Sequence, residues 1–169
     1  MSSEDTIEEL SAALVSELIN AGKTISAAES CTGGWIAKSI TDVAGSSACF
    51  GYGIVSYSNG AKESMLAVSP ATLQQHGAVS EQTVAEMAEG CMNLSGSDYS
   101  VAVSGIAGPD GGSNDKPVGT VWLAWAIRCG AEIKTTAQKC RFDGDRHQVR
   151  LQTVIKALQG LRERLRTNG

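Results

Sequence analysis

The sequence predicts an α/β fold, a three-layer α/β/α sandwich on a mixed, mostly parallel sheet of about five strands. Three observations carry that expectation. Segments of helical period alternate with short strand-like runs from the start of the chain to about residue 103, the pattern of crossovers between parallel strands. Two further strand-like runs flank Cys129-Gly130, a gap so short that the pair must be an antiparallel hairpin. The 169 residues are 42% hydrophobic and 19% charged, enough for a sizeable core and ordinary for a globular domain. No repeat or linker interrupts the pattern, so residues 1–169 read as a single domain.

The elements follow in order. Ile7, Leu10, Leu14, Leu18 and Ile19 recur at helical spacing across about residues 4–21, and Gly22 is a stop signal. Thr24 to Ala28 reads as a buried strand, and Glu29-Ser30-Cys31-Thr32-Gly33-Gly34 as a tight polar turn. Trp35, Ile36, Ile40 and Val43 then resume the helical period. A second strand is expected over Ile54 to Tyr57, with a short helix beginning near Ser58 or Asn59. Ser69 is expected to N-cap another helix with Pro70 at its first position, and Ser80 caps the next. Tyr99 to Val103 is the third strand. It enters a loop from Ser104 to Gly119 with five glycines and two prolines. Strands over Thr120 to Ile127 and Glu132 to Phe142 precede a final helix from about Asp145 to Arg164.

The charge balance excludes some functions. Net charge is −4, and the basic run Arg162, Arg164, Arg166 suits the negative end of the last helix dipole. No nucleic-acid partner is expected without a basic face. No apolar stretch of about 18 residues is present, so no membrane partner is expected. Five scattered cysteines form no C-x-x-C pair, which argues against a disulfide framework and against a metal site. With no signal peptide, a reducing cytoplasm is the expected compartment.

Two glycine-bearing turns, at Ser30 to Gly34 and Ser104 to Gly112, each open with serine after a strand. Ligands of open α/β sheets bind beyond the carboxyl ends of the strands, so a site is expected there rather than two plain turns. Neither loop matches the Rossmann or P-loop spacing. Ser30 as a nucleophile needs a base. His76 stands at an expected helix end and His147 in an exposed first turn, which leaves Lys62 as a candidate by elimination of histidine. A free lysine is neutral only about once in 2,500 at pH 7, so burial or a nearby cation such as Arg146 must favour the neutral amine. Tyr57 lies five residues before Lys62, one more than the Tyr-x-x-x-Lys spacing of short-chain dehydrogenases. Cys31 is a rival nucleophile if a helix N-terminus lowers its pKa, and otherwise a small packed residue. Glu29 is placed to order the turn through hydrogen bonds. Asp143 or Asp145 serves as the last N-cap. Arg146 sits unfavourably at the positive end of its helix, a position that an anionic substrate group would explain. The tryptophans read as core or interface.

The strings Ala28-Glu-Ser-Cys-Thr-Gly-Gly34, Ala44-Gly-Ser-Ser47, Val55-Ser-Tyr-Ser-Asn59 with Ala61-Lys62, and His76-Gly-Ala-Val-Ser80 resemble the CinA C-terminal family, the competence/damage-inducible proteins. Ser104 to Gly112, Lys116 to Thr120 and Gly144-Asp-Arg146 extend the resemblance over nearly the whole chain. It implies hydrolysis of the carboxamide of nicotinamide mononucleotide to nicotinate mononucleotide and ammonia, without cofactor or metal. It matches Ser30, Lys62 and Tyr57 to catalytic positions of a Ser/Lys mechanism. It associates Ser47, Ser104 and Arg146 with catalysis or substrate binding. The turn residues Thr32, Gly33, Gly34, Gly105 and Gly108 are expected to bind substrate beside them. It further implies the α/β/α fold, a homodimer, and the stand-alone form of a domain that some members carry behind a molybdopterin-binding-like domain. The competing reading is a non-catalytic nucleotide-binding or competence/damage-response interaction module; a third is a cysteine hydrolase using Cys31.

Overall fold

A computed structural model describes residues 3–168; Met1, Ser2 and Gly169, the ends of the expected domain, lie outside the described residues. Five strands, β1 Ile25–Glu29, β2 Phe50–Val55, β3 Tyr99–Gly105, β4 Thr120–Cys129 and β5 Glu132–Arg141, form one sheet in the order β2-β1-β3-β4-β5. β1 pairs in parallel with β2 and β3, while β4 runs antiparallel to both β3 and β5. β4 therefore opposes the other four, and the carboxyl ends of β1, β2, β3 and β5 share one edge of the sheet.

Among the described residues six helices cover the two faces: α1 Ser3–Ala21, α2 Trp35–Thr41, α3 Asn59–Leu66, α4 Pro70–His76, α5 Glu81–Ser95 and α6 Arg146–Asn168. Alternation along the strands decides which face receives which helices. On β3, Tyr99, Val101 and Val103 join a core with α1, α2 and α6 residues such as Leu14, Ile36, Val154 and Leu158. The opposite face is lined by small residues, Ala28, Ala102, Ala124 and Ala126, and takes α5 through Val84, Met87 and Cys91. Trp125 lies on the first face, against Gly160 of α6, where an added Cβ would stand 2.3 Å from the indole. Glycine is therefore required at Gly160 for the helix to approach the sheet at that point.

The caps explain the helix starts. Ser58 and Ser80 accept from the N–H groups of Ala61 and Thr83, as N-caps do. Asp145 accepts from Gln148 N–H while Gln148 accepts from Asp145 N–H, a reciprocal capping box that settles the choice between Asp143 and Asp145. Ser69 precedes Pro70 as expected, yet its side chain makes no cap bond; its N–H donates instead to Glu86.

Several boundaries differ from expectation. β2 starts at Phe50, four residues early, because Gly51 and Gly53 hide the strand pattern. Gly53 is there for packing, since a Cβ would sit 2.7 Å from that of Ala37 on α2. A 3₁₀ turn, Ser46–Ala48, precedes β2. α6 continues past Arg164 to Asn168, with Arg162 and Arg166 both paired to Glu17 of α1.

Candidate active site

Because β1, β2 and β3 end together, three loops converge. Ser30 follows β1, its N–H donating to Val103 O at 3.1 Å. Ser56 and Tyr57 follow β2, and Lys62 returns on the first turn of α3. Ser104 is buried near the end of β3, where the glycine loop begins.

Lys62 Nζ lies 3.0 Å from Ser30 Oγ, 2.8 Å from Ser56 O and 3.4 Å from Tyr57 O. Its side chain is buried, at 1% exposure, and among the described residues it makes no ion pair. Burial lowers its pKa from the ordinary lysine value; the cause is desolvation of the charged amine, not Arg146. Three oxygens thus surround the amine: it donates to the carbonyls of Ser56 and Tyr57 and stands within hydrogen-bond distance of the Ser30 hydroxyl. The Ser56 hydroxyl is itself buried without a hydrogen-bond partner.

The turn beneath Ser30 is anchored by Glu29. This fully buried carboxylate accepts from Thr32 Oγ1 at 2.6 Å, Ile36 N–H at 2.8 Å and Ala37 N–H at 3.0 Å. It occupies the positive end of α2 and satisfies donors that would otherwise be orphaned. The ordering role expected of Glu29 is thus its geometry. Cys31 packs into the core, and burial pushes its thiol up to about 12. That favours the packed-residue reading over the rival nucleophile, because removal from water outweighs the helix end.

Arg146 bridges two loops: Nη1 donates to Gly108 O at 2.8 Å and Nη2 to the Tyr57 hydroxyl at 3.2 Å. Tyr57 thus meets Lys62 through its carbonyl, while its exposed phenol pairs with Arg146. A cavity of about 520 Å³ lies between the glycine loop and the start of α6, lined by Ala107, Pro109, Val118, Arg146 and Arg150. Its size suits a mononucleotide-sized ligand. Lys116 secures the loop from α4, donating to His76 O at 2.7 Å. His147 stacks near Trp35, ring centroids 5.3 Å apart.

The sequence-derived set is brought together with one exception. Ser30, Lys62, Tyr57, Ser104, Arg146, Thr32, Gly33, Gly34, Gly105 and Gly108 gather at the carboxyl edge of the sheet. Ser47 does not. It lies exposed in the 3₁₀ turn before β2, at the amino end of the strands and a strand's length from Ser30. Sequence reasoning missed Arg150, whose Nε and Nη2 donate to Cys31 O and Thr32 O, each at 3.0 Å. Its one visible signal is position: it follows Arg146 by one helical turn.

The sequence model of the CinA C-terminal domain matches residues 7–165. The chain belongs to the CinA C-terminal domain family. Among relatives, the nicotinamide-nucleotide amidohydrolase PncC of Enterobacter agglomerans is 54% identical over 162 residues, 95% of this chain and 97% of its own length. The protein of the same name from Escherichia coli K12 is 58% identical over 140 residues, 83% of each chain. The crystal structure of the competence damage-inducible protein A of Klebsiella pneumoniae superposes with a TM-score of 0.91 at 40% identity, covering 96% of this chain and 99% of the other. The mixed five-stranded sheet described above is thus the architecture of a CinA-family domain. Among the described residues no helix is long and apolar enough to cross a membrane.

Proposed function

We propose that this CinA-family chain is a single-domain nicotinamide-nucleotide amidohydrolase that converts nicotinamide mononucleotide to nicotinate mononucleotide and ammonia. The 3.0 Å approach of Lys62 Nζ to Ser30 Oγ carries the reading, and the names of the relatives supply the substrate. Lys62 is the direct base in this assignment, since its amine rather than the Tyr57 phenol lies against the nucleophile.

Neutral Lys62 takes the Ser30 proton as Oγ attacks the carboxamide carbon. Backbone N–H groups of the Cys31 to Gly34 turn stabilise the oxyanion. The protonated amine then gives its proton to the departing nitrogen, and ammonia leaves an acyl-serine ester. Water, deprotonated by Lys62, attacks the ester; nicotinate mononucleotide leaves and Ser30 regains its proton. Tyr57 supports the dyad by holding Lys62 through its carbonyl and Arg146 through its phenol. Arg146, Ser104 and the glycine loop at Gly105 and Gly108 hold the nucleotide, the guanidinium facing its phosphate. As part of the same proposal, the protein acts in the cytoplasm as a homodimer in recycling of pyridine nucleotides. Ser47 lies too far from Ser30 to touch the same substrate within one chain, so any substrate contact from it comes from a second copy.

The test is ammonia release from nicotinamide mononucleotide by purified protein. Release by the wild type and its loss in Ser30→Ala are expected. A wild type silent between about pH 6 and pH 9, the range in which a tuned base operates, would sink the reading.

A further inference from the structure

We infer that Arg150 is a positioning residue for the turn that carries the nucleophile, fixing two of the peptides that follow Ser30 through the carbonyls of Cys31 and Thr32. This rests on Ser30 being the nucleophile, as proposed above.

Arg150 projects from the second turn of α6, where the positive dipole end disfavours a cation. Among the described residues it has no carboxylate partner. Its Nε and Nη2 instead grip two consecutive carbonyls, Cys31 O and Thr32 O, and the Trp35 ring lies 5.7 Å from its guanidinium carbon. A planar fork on two successive peptides fixes their rotation as a point charge would not.

Several N–H groups in and after the turn are committed. Gly33 N–H donates to Ser30 O and Trp35 N–H to Thr32 O, at 3.1 and 3.2 Å. Ile36 and Ala37 donate to Glu29. The Gly33 N–H that donates to Ser30 O lies in the same peptide as Thr32 O, one of the two carbonyls that Arg150 holds. The fork therefore fixes the turn on which Ser30 is carried.

The test is steady-state deamidation of nicotinamide mononucleotide by Arg150→Ala and Arg150→Lys, with thermal melts and added guanidinium. For Arg150→Ala, kcat falls about ten- to a hundred-fold, less than deletion of an oxyanion donor, while KM stays within about threefold. The acid limb of the pH profile does not move, because Lys62 is untouched. Millimolar guanidinium restores part of the rate to Arg150→Ala and does nothing for the wild type. A kcat within about twofold of wild type, a loss confined to KM, or a folded variant that guanidinium does not rescue would overturn the inference. If Arg150→Ala does not fold, Arg150→Lys decides: it reaches one carbonyl at most, and a wild-type kcat overturns the assignment. A silent wild type would instead sink the amidohydrolase reading, which keeps the two failures distinct.

Discussion

Lys62 Nζ stands 3.0 Å from Ser30 Oγ although 32 residues separate them. The amine has left water for a place among carbonyls, with no carboxylate to stabilise its charge. Its depressed pKa makes the rate pH-dependent in a defined sense. With Lys62 as the proposed base its neutral form is the active one, so kcat/KM is expected to rise with pH along an acid limb lying below the ordinary lysine value of about 10.4. Lys62→Met should remove that limb and lower kcat/KM by about 10²- to 10⁴-fold. A pH profile of both proteins checks it.

The same shift predicts a stability effect. A lysine depressed in the folded state binds fewer protons there than when unfolded, between its folded pKa and about 10.4. Stability contributed by this group therefore rises with pH through that window. Below it, the folded protein carries the whole penalty of a buried charge. Denaturant melts of wild type and Lys62→Met across pH should show the wild type gaining on the variant as pH rises. Parallel stability curves would contradict a buried, depressed amine.

Cys31 neighbours the nucleophile but is not expected to replace it. With its thiol pushed up to about 12, it is almost wholly protonated at neutral pH. Cys31→Ala should keep most of its activity and Ser30→Ala almost none. The reverse order in an ammonia assay would install the cysteine-hydrolase reading.

Glu29 holds the turn through three hydrogen bonds to one buried carboxylate. Glu29→Ala leaves the first amides of α2 unsatisfied and should lower stability by about 3 kcal/mol. Urea unfolding measures it, and a loss below about 1 kcal/mol would show that the turn holds without this anchor.

Glycine within a helix is ordinarily replaced by alanine with a gain of about 1 kcal/mol. Gly160→Ala should do the opposite. The added methyl meets the Trp125 indole at 2.3 Å, and overpacking of this kind costs about 1–3 kcal/mol. Thermal melts should show a lower midpoint.

Much of the scaffold was legible because each change of period is local. The passage from β1 through Ser30 to α2 is written in adjacent residues, as are the caps at Ser58, Ser80 and Asp145. β2 was misplaced because its glycines hide the strand pattern, and one of them, Gly53, serves α2 packing, a contact between distant segments. The burial of Lys62 had a faint trace: Leu66 follows it by four residues, and both lie on the buried face of α3. That the two residues share a face does not tell which way the face turns. Arg150 was invisible for a related reason. Its partners are backbone carbonyls, and carbonyls leave no mark in a sequence. Ser47 shows the converse, since matching a motif says nothing about which end of a strand the motif occupies.

Arg146 and Arg150 stand one turn apart on α6, one holding the glycine loop at Gly108 and the other the serine turn at Cys31 and Thr32. The two loops are thus clamped to a common rigid ruler with a pitch of about 5.4 Å. An insertion in either loop is tolerable only if its carbonyl anchor returns to the same rung. Transplanting one loop from a distant homologue should fail unless its arginine travels with it, and exchanging both loops together with the first two turns of α6 is the smallest unit by which this site can be rebuilt.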